Sequence, residues 1–316
     1  MSLPSLSILI VNYKTPDLTI ACIDSIYKYP PQGQYEVIVV DNDSGDDSLE
    51  RIAARFPQVD LISSRENLGF SGGNNLAMQH SKYEILLLLN SDTEVHEDAL
   101  VNLQRFFERR GEAAAFGGKN YSSDGSVQYS IRYFPRLANA LSESLFLHRL
   151  FNGALFGECE TRLNYYEIEH EVEWVSGSYL AIRREWYEKI GGLDPGFFMY
   201  SEDTDWCYRI KAHGGSVWYC PDSTITHYGG GSSKGSKKLP VQLVLSRDRY
   251  ARLHFSSMRA VLYRFAIALR LSVRFLLLLA ASLINADNKE YARQRLLAIK
   301  QLYSCPLDLT PGVGKK

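Results

Sequence analysis

Two short runs constrain this chain more than anything else in it: EVIVV at 36–40 and EILLLL at 84–89. Each is apolar at successive positions and stops on a polar residue, Asp41 or Asn90. A strand that is apolar on both alternating faces has to be covered on both sides, which is the environment of a sheet sandwiched between helices. Leu6 to Asn12 reads the same way, and Val59 to Ser63 and Ala113 to Gly118 supply two further strands. Helical stretches fall between them: Pro16 to Lys28, a segment holding Ile52, Ala53 and Phe56, Ser71 to Ser81, and Val95 to Arg109. This βαβα order predicts an α/β fold with a mostly parallel central sheet flanked by helices. Ligands of such sheets bind beyond the carboxyl ends of the strands. Asn12, Asp41, Arg65 and Asn90 to Asp92 all fall on that edge.

The second half is less regular. Ala138 to Phe151 is expected to be helical, Val172 to Ile182 a strand, and Glu202 to His213 a helix. Ser216 to Cys220 and Ser223 to His227 read as short extended pieces. GGGSSKGSKK at 229–238 follows, and its consecutive glycines suit a flap over a site. From Leu239 the pattern is helical, so the expected division is 1–238 and a C-terminal helical extension, 239–316.

Composition narrows the class. With 45% hydrophobic residues in 316, the chain can bury a substantial core and is not disordered, collagen-like or porin-like. The five cysteines are scattered without a CxxC, so neither a zinc site nor a disulfide framework is expected. The opening MSLPSLSILIVNY has no basic segment before its apolar run; it reads as a first strand rather than a signal peptide, and a cytoplasmic location is expected. The formal net charge of -1 hides a division: residues 234–316 hold 16 of the 35 Lys and Arg but 4 of the 36 Asp and Glu. Residues 260–286 are strongly apolar, and Arg259, Arg270 and Arg274 fall within about 60° on a helical projection beside a broad apolar face. That pattern fits a helix lying in a membrane interface, or one packed against the body or a second copy of the chain. The segment is too apolar for nucleic acid and carries no reading motif.

Several residues could carry chemistry. Asn90-Ser91-Asp92 ends the apolar strand, where a carboxylate can hold a hard divalent cation or cap the next helix. Glu202-Asp203-Thr204-Asp205 crowds three carboxylates at a helix start, where the macrodipole favours them and mutual repulsion raises a pKa. Glu202 and Asp205 share a face while Asp203 points elsewhere, which makes Asp203 the candidate general base. His227 precedes the glycine run. Asp41 and Asn42 could accept from a base or ribose, and Arg65 could meet a base or phosphate. GFSGGNN at 69–75 opens a helix whose N–H groups could face an anion, but it is neither GxGxxG nor GxxxxGK[ST]. No G-x-S-x-G elbow is present.

Six segments in order carry a resemblance: SILIVNYKTPDLTIACIDSI at 7–26, EVIVVDNDSGDDS at 36–48, RENLGFSGGNN at 65–75, ILLLLNSDTEV at 85–95, SGSYLAIRREWYEKIGGLDPGFFMYSEDTDWCYRIKAHG at 176–214 and ITHYGGGSS at 225–233. Together they resemble the GT-A-fold glycosyltransferases of family 2, the rhamnosyltransferase-like branch in particular. The resemblance implies a metal-dependent inverting enzyme using Mg²⁺ or Mn²⁺ and a nucleotide-sugar donor, dTDP-L-rhamnose first and a UDP-sugar second. Its acceptor would be a glycan or a polyprenyl-diphosphate-linked saccharide of a bacterial surface polysaccharide, and the enzyme would sit peripherally on the cytoplasmic face of the inner membrane, possibly as a homodimer. It implies Asn12, Asp41, Asn42, Arg65, Asn75, Ser91 and Asp92 around the nucleotide and Asp92 with His227 at the metal. Asp203 would be the base, and Glu202 and Trp206 would line the acceptor or sugar pocket. Asn90 stands where the family usually has a first acid, which leaves the metal contact to Asp92 and an outer role to Asn90. A nucleotidyltransferase and a non-catalytic, membrane-associated scaffold of the same fold are the alternatives.

Overall fold

The computed structural model describes residues 3–229, 241–282 and 287–304. The chain begins β1 (Leu6–Asn12), α1 (Pro16–Lys28), β2 (Tyr35–Asp41), α2 (Ser48–Arg55), β3 (Asp60–Ser63), α3 (Gly69–His80) and β4 (Ile85–Leu89). It continues β5 (Thr93–Val95), α4 (Ala99–Arg109), β6 (Ala113–Tyr121), β7 (Ile131–Arg132), α5 (Leu137–Ser144), β8 (His170–Val172), β9 (Trp174–Val175) and β10 (Tyr179–Arg183). It ends α6 (Arg184–Ile190), α7 (Glu202–Ala212), β11 (Ser216–His227), α8 (Val241–His254), α9 (Ser257–Ala281) and α10 (Asp287–Ser304).

These elements form two compact units. One joins residues up to 132, 161–198 and 202–229; the other joins 133–160, 199–201 and the C-terminal helices. The first unit is built on a mixed sheet of order β3-β2-β1-β4-β10-β6-β11-β5, with β8 also paired to β11. β3, β2, β1 and β4 run parallel, as do β6 and β11, while β10 lies antiparallel between β4 and β6. The apolar runs are buried on both faces, as their composition requires: Val37 to Val40 and Ile85 to Leu89 have at most 3% of their surface exposed. The register of β1 on β2 sets Asn12 beside Asp41, so the polar strand ends line up along one edge.

The structure departs from the expected elements in four places. Val172 to Ile182 is not one strand: β8, β9 and β10 share it, separated at Glu173 and by a turn at 176–178. The two pieces after Ser216 are one strand, β11, whose register on β6 shifts between Cys220 and Thr224, around Pro221, which has no N–H to give the ladder. Val95 ends a short strand that pairs with β11, and α4 starts only at Ala99. The helix expected from Ala138 to Phe151 stops at Ser144, because Phe146 sits at φ 61°.

In the second unit, α5 packs on α9, with Ser144 Oγ donating to the Ala266 carbonyl at 3.0 Å. Most of the expected flap, 230–238, lies outside the described residues.

Candidate active site

The pairing of β5 with β11 closes a long sequence separation. It sets His227 opposite Thr93, and the His227 Nε2 atom comes within 3.3 Å of Asp92 Oδ1. The Tyr228 N–H donates to the Asp92 carbonyl at 2.9 Å, which fixes the two backbones together.

Gln128 then determines what the imidazole can do. Its Nε2 donates to the His227 carbonyl at 2.7 Å, an oxygen that can only accept. Gln128 Oε1 is thereby turned toward His227 Nδ1, 3.0 Å away, so Nδ1 carries the hydrogen. In the neutral ring Nε2 is then the acceptor: it takes a hydrogen bond from Asn90 Nδ2, 3.3 Å away, and faces Asp92 Oδ1 at the same distance.

Asp92 Oδ1 and His227 Nε2 are the atoms here that could hold a divalent ion. Among the described residues Asn90 Oδ1 is buried with no hydrogen-bond partner. Among the described residues no group of three or more His, Cys, Asp or Glu gathers into a metal centre. An ion held by two such atoms would take its remaining ligands from water and substrate phosphates.

Asp203 is held separately. Its Oδ2 accepts the Gly177 N–H at 2.9 Å and its Oδ1 accepts the Thr204 N–H at 2.8 Å. Burial raises its carboxyl above the ordinary range, against those two bonds and the Arg132 charge, which lower it. Glu202 beside it is 5% exposed, and its Oε2 has no partner. Burial, reinforced by the Asp203 charge, pushes its carboxyl well up. The turn at 176–178 joins the two halves of the site: Gly177 donates to Asp203 while the Ser178 carbonyl accepts the Asn90 N–H at 3.1 Å.

The remaining residues divide by what they touch. Asp41 is 3% exposed; Asn12 Nδ2 donates to its Oδ1 at 2.7 Å, and the Ser44 N–H and hydroxyl hold it further. Asn12 has no exposed surface, so it orients Asp41 rather than meeting a ligand. Asn42 is likewise spent on the chain: Nδ2 donates to Asn67 Oδ1 and the Gly69 carbonyl, and Oδ1 accepts the Leu68 N–H. Asn75 clamps Leu193, giving to its carbonyl at 2.8 Å and taking from its N–H at 2.9 Å. Arg65 is exposed and Ser91 half-buried on the same sheet edge. Trp206 corrects the expectation of a pocket residue: it has no exposed surface, and its Nε1 donates to the Gly191 carbonyl at 2.9 Å within the core. Asp205, the third acid of the cluster, is paired with Arg209 at 2.8 Å.

With this geometry in hand, comparison with known proteins decides the family. The profile of glycosyl transferase family 2 matches residues 7–209, well over half of the chain. The chain belongs to that family. It is 30% identical over 225 residues to the low-salt glycan biosynthesis hexosyltransferase Agl10 of Haloferax volcanii, a match covering 69% of this chain and 65% of that protein. It is 28% identical over 206 residues to the rhamnosyltransferase WbbL of Escherichia coli, covering 61% and 73%. Among solved structures, the mannosyltransferase PcManGT of Pyrobaculum calidifontis, in complex with GDP-Man and Mn²⁺, superposes with a TM-score of 0.54 at 16% identity over 96% of this chain and 88% of that one. That likeness supports the GT-A fold.

Two participants carry little signal in the sequence. Gln128 lies in an irregular stretch with no motif around it. Gly177 was legible in principle, within SGSYLAIRREW, as a glycine interrupting an apolar run.

Proposed function

We propose that this family 2 protein transfers a sugar from a nucleotide diphosphate donor to a hydroxyl of a glycan or a lipid-linked saccharide, with inversion at the anomeric carbon. The observation that carries the reading is Asp203: a partly buried carboxylate with a raised pKa, fixed by Gly177, on the turn that also fixes Asn90. A carboxylate lifted toward neutral pH is a better acceptor for a hydroxyl proton. Asp203 takes that proton as the acceptor oxygen attacks, and the single displacement inverts the centre. The Asp41 side of the sheet edge holds the nucleoside, with Arg65 and Ser91 near the phosphates. Asp92 and His227 would hold Mg²⁺ or Mn²⁺. The ion, when bound, supplies positive charge against the leaving diphosphate.

For the donor we favour dTDP-L-rhamnose, on the likeness to WbbL; a UDP-hexose is the second reading, on the likeness to Agl10. An acceptor on a polyprenyl diphosphate would hold the enzyme at the cytoplasmic face of a membrane and assign it to surface-polysaccharide synthesis.

The test separates binding from chemistry. Calorimetry with dTDP-rhamnose, UDP-sugars and free nucleotides, with Mn²⁺ and then with chelator, is expected to show metal-dependent binding of one donor class. Asp203→Asn is expected to keep that binding and lower transfer about 10²- to 10⁴-fold, the range for a general base. Near-normal transfer by D203N would remove the base assignment; a folded protein that binds no nucleotide would remove the transferase reading.

A further inference from the structure

Helix α9 presents two opposed faces. On one, its arginines are already engaged: Arg264 reaches Asp248 through Nε at 2.7 Å, Arg270 pairs with Glu143, and the Arg274 guanidinium lies 5.8 Å from the Phe146 ring. Arg270 and Arg274 of the basic stripe expected to meet a membrane are thus turned into their own unit, while Arg259 stays exposed. On the other face Met258, Leu262, Phe265, Leu269 and Leu276 fall within about 60° at 100° per residue. Met258, Leu262, Phe265 and Leu276 are 70%, 43%, 59% and 61% exposed. No charged residue interrupts that line, which extends about 27 Å at 1.5 Å per residue.

Charge says what covers it. Among the described side chains of this unit, the exposed charges are all basic: Arg149, Arg259, Arg293 and Lys300. Its acids Glu143, Glu158, Glu160 and Asp248 are buried, and Glu290 is only half-exposed. Each cation adjoins exposed apolar residues: Arg149 precedes Leu150 and Phe151, Arg259 follows Met258, and Arg293 and Lys300 flank Leu296 and Leu297. In a symmetric dimer this surface would meet itself, cation against cation, with no exposed acid among the described side chains of this unit to answer it. An anionic lipid surface provides both the apolar phase and the counter-charge.

We propose that the Met258–Leu276 face of α9 is a docking surface for an anionic bilayer, with the helix lying along the interface. No helix among the described residues is long and apolar enough to cross a membrane, which agrees with a helix that lies flat. The docking does not depend on which sugar is transferred.

The test is co-sedimentation of the full chain with vesicles of phosphatidylcholine alone and of phosphatidylcholine with phosphatidylglycerol. Binding is expected to the anionic vesicles and to weaken with salt. Leu262→Glu with Phe265→Glu is expected to reduce it at least tenfold, because two apolar side chains that would enter the bilayer become carboxylates facing anionic headgroups. Nucleotide binding and the melting temperature should hold; if the double variant misfolds, Leu276→Ser reports the same loss more gently. Undiminished vesicle binding by a folded variant, or none by the parent chain, overturns the proposal. So does a parent dimer in sedimentation velocity that the variant abolishes, which would give the face to a second copy. Loss of donor binding with vesicle binding intact would instead count against the transferase reading alone.

Discussion

At the residue scale, burial raises the carboxyls of both neighbours Glu202 and Asp203. The Glu202 carboxyl is pushed well above its ordinary 4.5 by burial and then by the Asp203 charge. Folded, it keeps a proton over a pH range in which the unfolded chain has lost it, so stability falls as pH rises above the unfolded value. Glu202→Gln removes that loss. Melting curves at pH about 5 and about 8 are expected to show the parent declining more steeply than E202Q, by up to about 1.4 kcal/mol per pH unit in the window. Parallel declines would mean that Glu202 ionises in the folded protein. Gln128 makes a second residue-scale case. Its two bonds, at 2.7 and 3.0 Å, set the His227 tautomer. Orienting partners of metal-ligating histidines are worth about 10- to 100-fold in affinity. Gln128→Ala should weaken Mn²⁺ binding by that factor, read by electron paramagnetic resonance with dTDP present. An unchanged affinity would leave Gln128 a structural residue.

At the element scale the site depends on how loops close against strand ends. Gly69 opens α3 at φ +69°, and a Cβ built there would lie 2.2 Å from the Phe198 carbonyl oxygen, which already accepts the Phe70 N–H at 2.8 Å. Gly69→Ala therefore meets both an unfavourable φ and a backbone atom that cannot yield without losing that bond. A cost of at least about 2 kcal/mol is expected in urea denaturation, as for other overpacked or strained substitutions; a neutral G69A would show that the loop can move away. The strands of the first half were legible because their signal is local: apolar runs ending on Asn12, Asp41 and Asn90. Asp92, Asp203 and His227 were legible as candidate residues for the same reason, each ending or opening an element. What joins them was not. The turn at 176–178 is defined by partners at Asn90 and Asp203, and the β5 pairing that brings His227 to Asp92 rests on a three-residue strand. Asn12, Asn42 and Asn75 read as ligand-facing because an asparagine at a strand end or helix start serves ligand or backbone equally well. Only the partners decide, and here the partners are Asp41, the 67–69 loop and Leu193.

At the scale of the whole molecule, counting charges along the sequence assigns a large positive excess to the C-terminal segment, but it misses what residues 133–160 bring to the same unit. Glu143 and Glu158, 7% and 5% exposed, come from that stretch and meet Arg270 and Arg247; the Arg247–Glu158 contact is 2.5 Å. Burial alone would raise the Glu143 carboxyl, yet the Arg270 and Arg247 charges outweigh it and hold the group below its ordinary range. Part of the basic excess is thus neutralised inside the unit, and among its described side chains only those of Arg149, Arg259, Arg293 and Lys300 are left as exposed charges. A buried pair is a weak source of net stability, but breaking one partner strands the other charge away from water. Glu143→Ala is accordingly expected to cost about 3–5 kcal/mol. Replacing Glu143 and Arg270 together by methionine should recover most of that loss, because an apolar pair of similar volume has no charge to desolvate. Added salt should hardly change either result, since screening acts on exposed charges and not on these. Chemical denaturation of the three proteins at low and high salt checks all of this at once. A single variant costing under about 1 kcal/mol, or a double variant no better than the single, would mean that water reaches the pair.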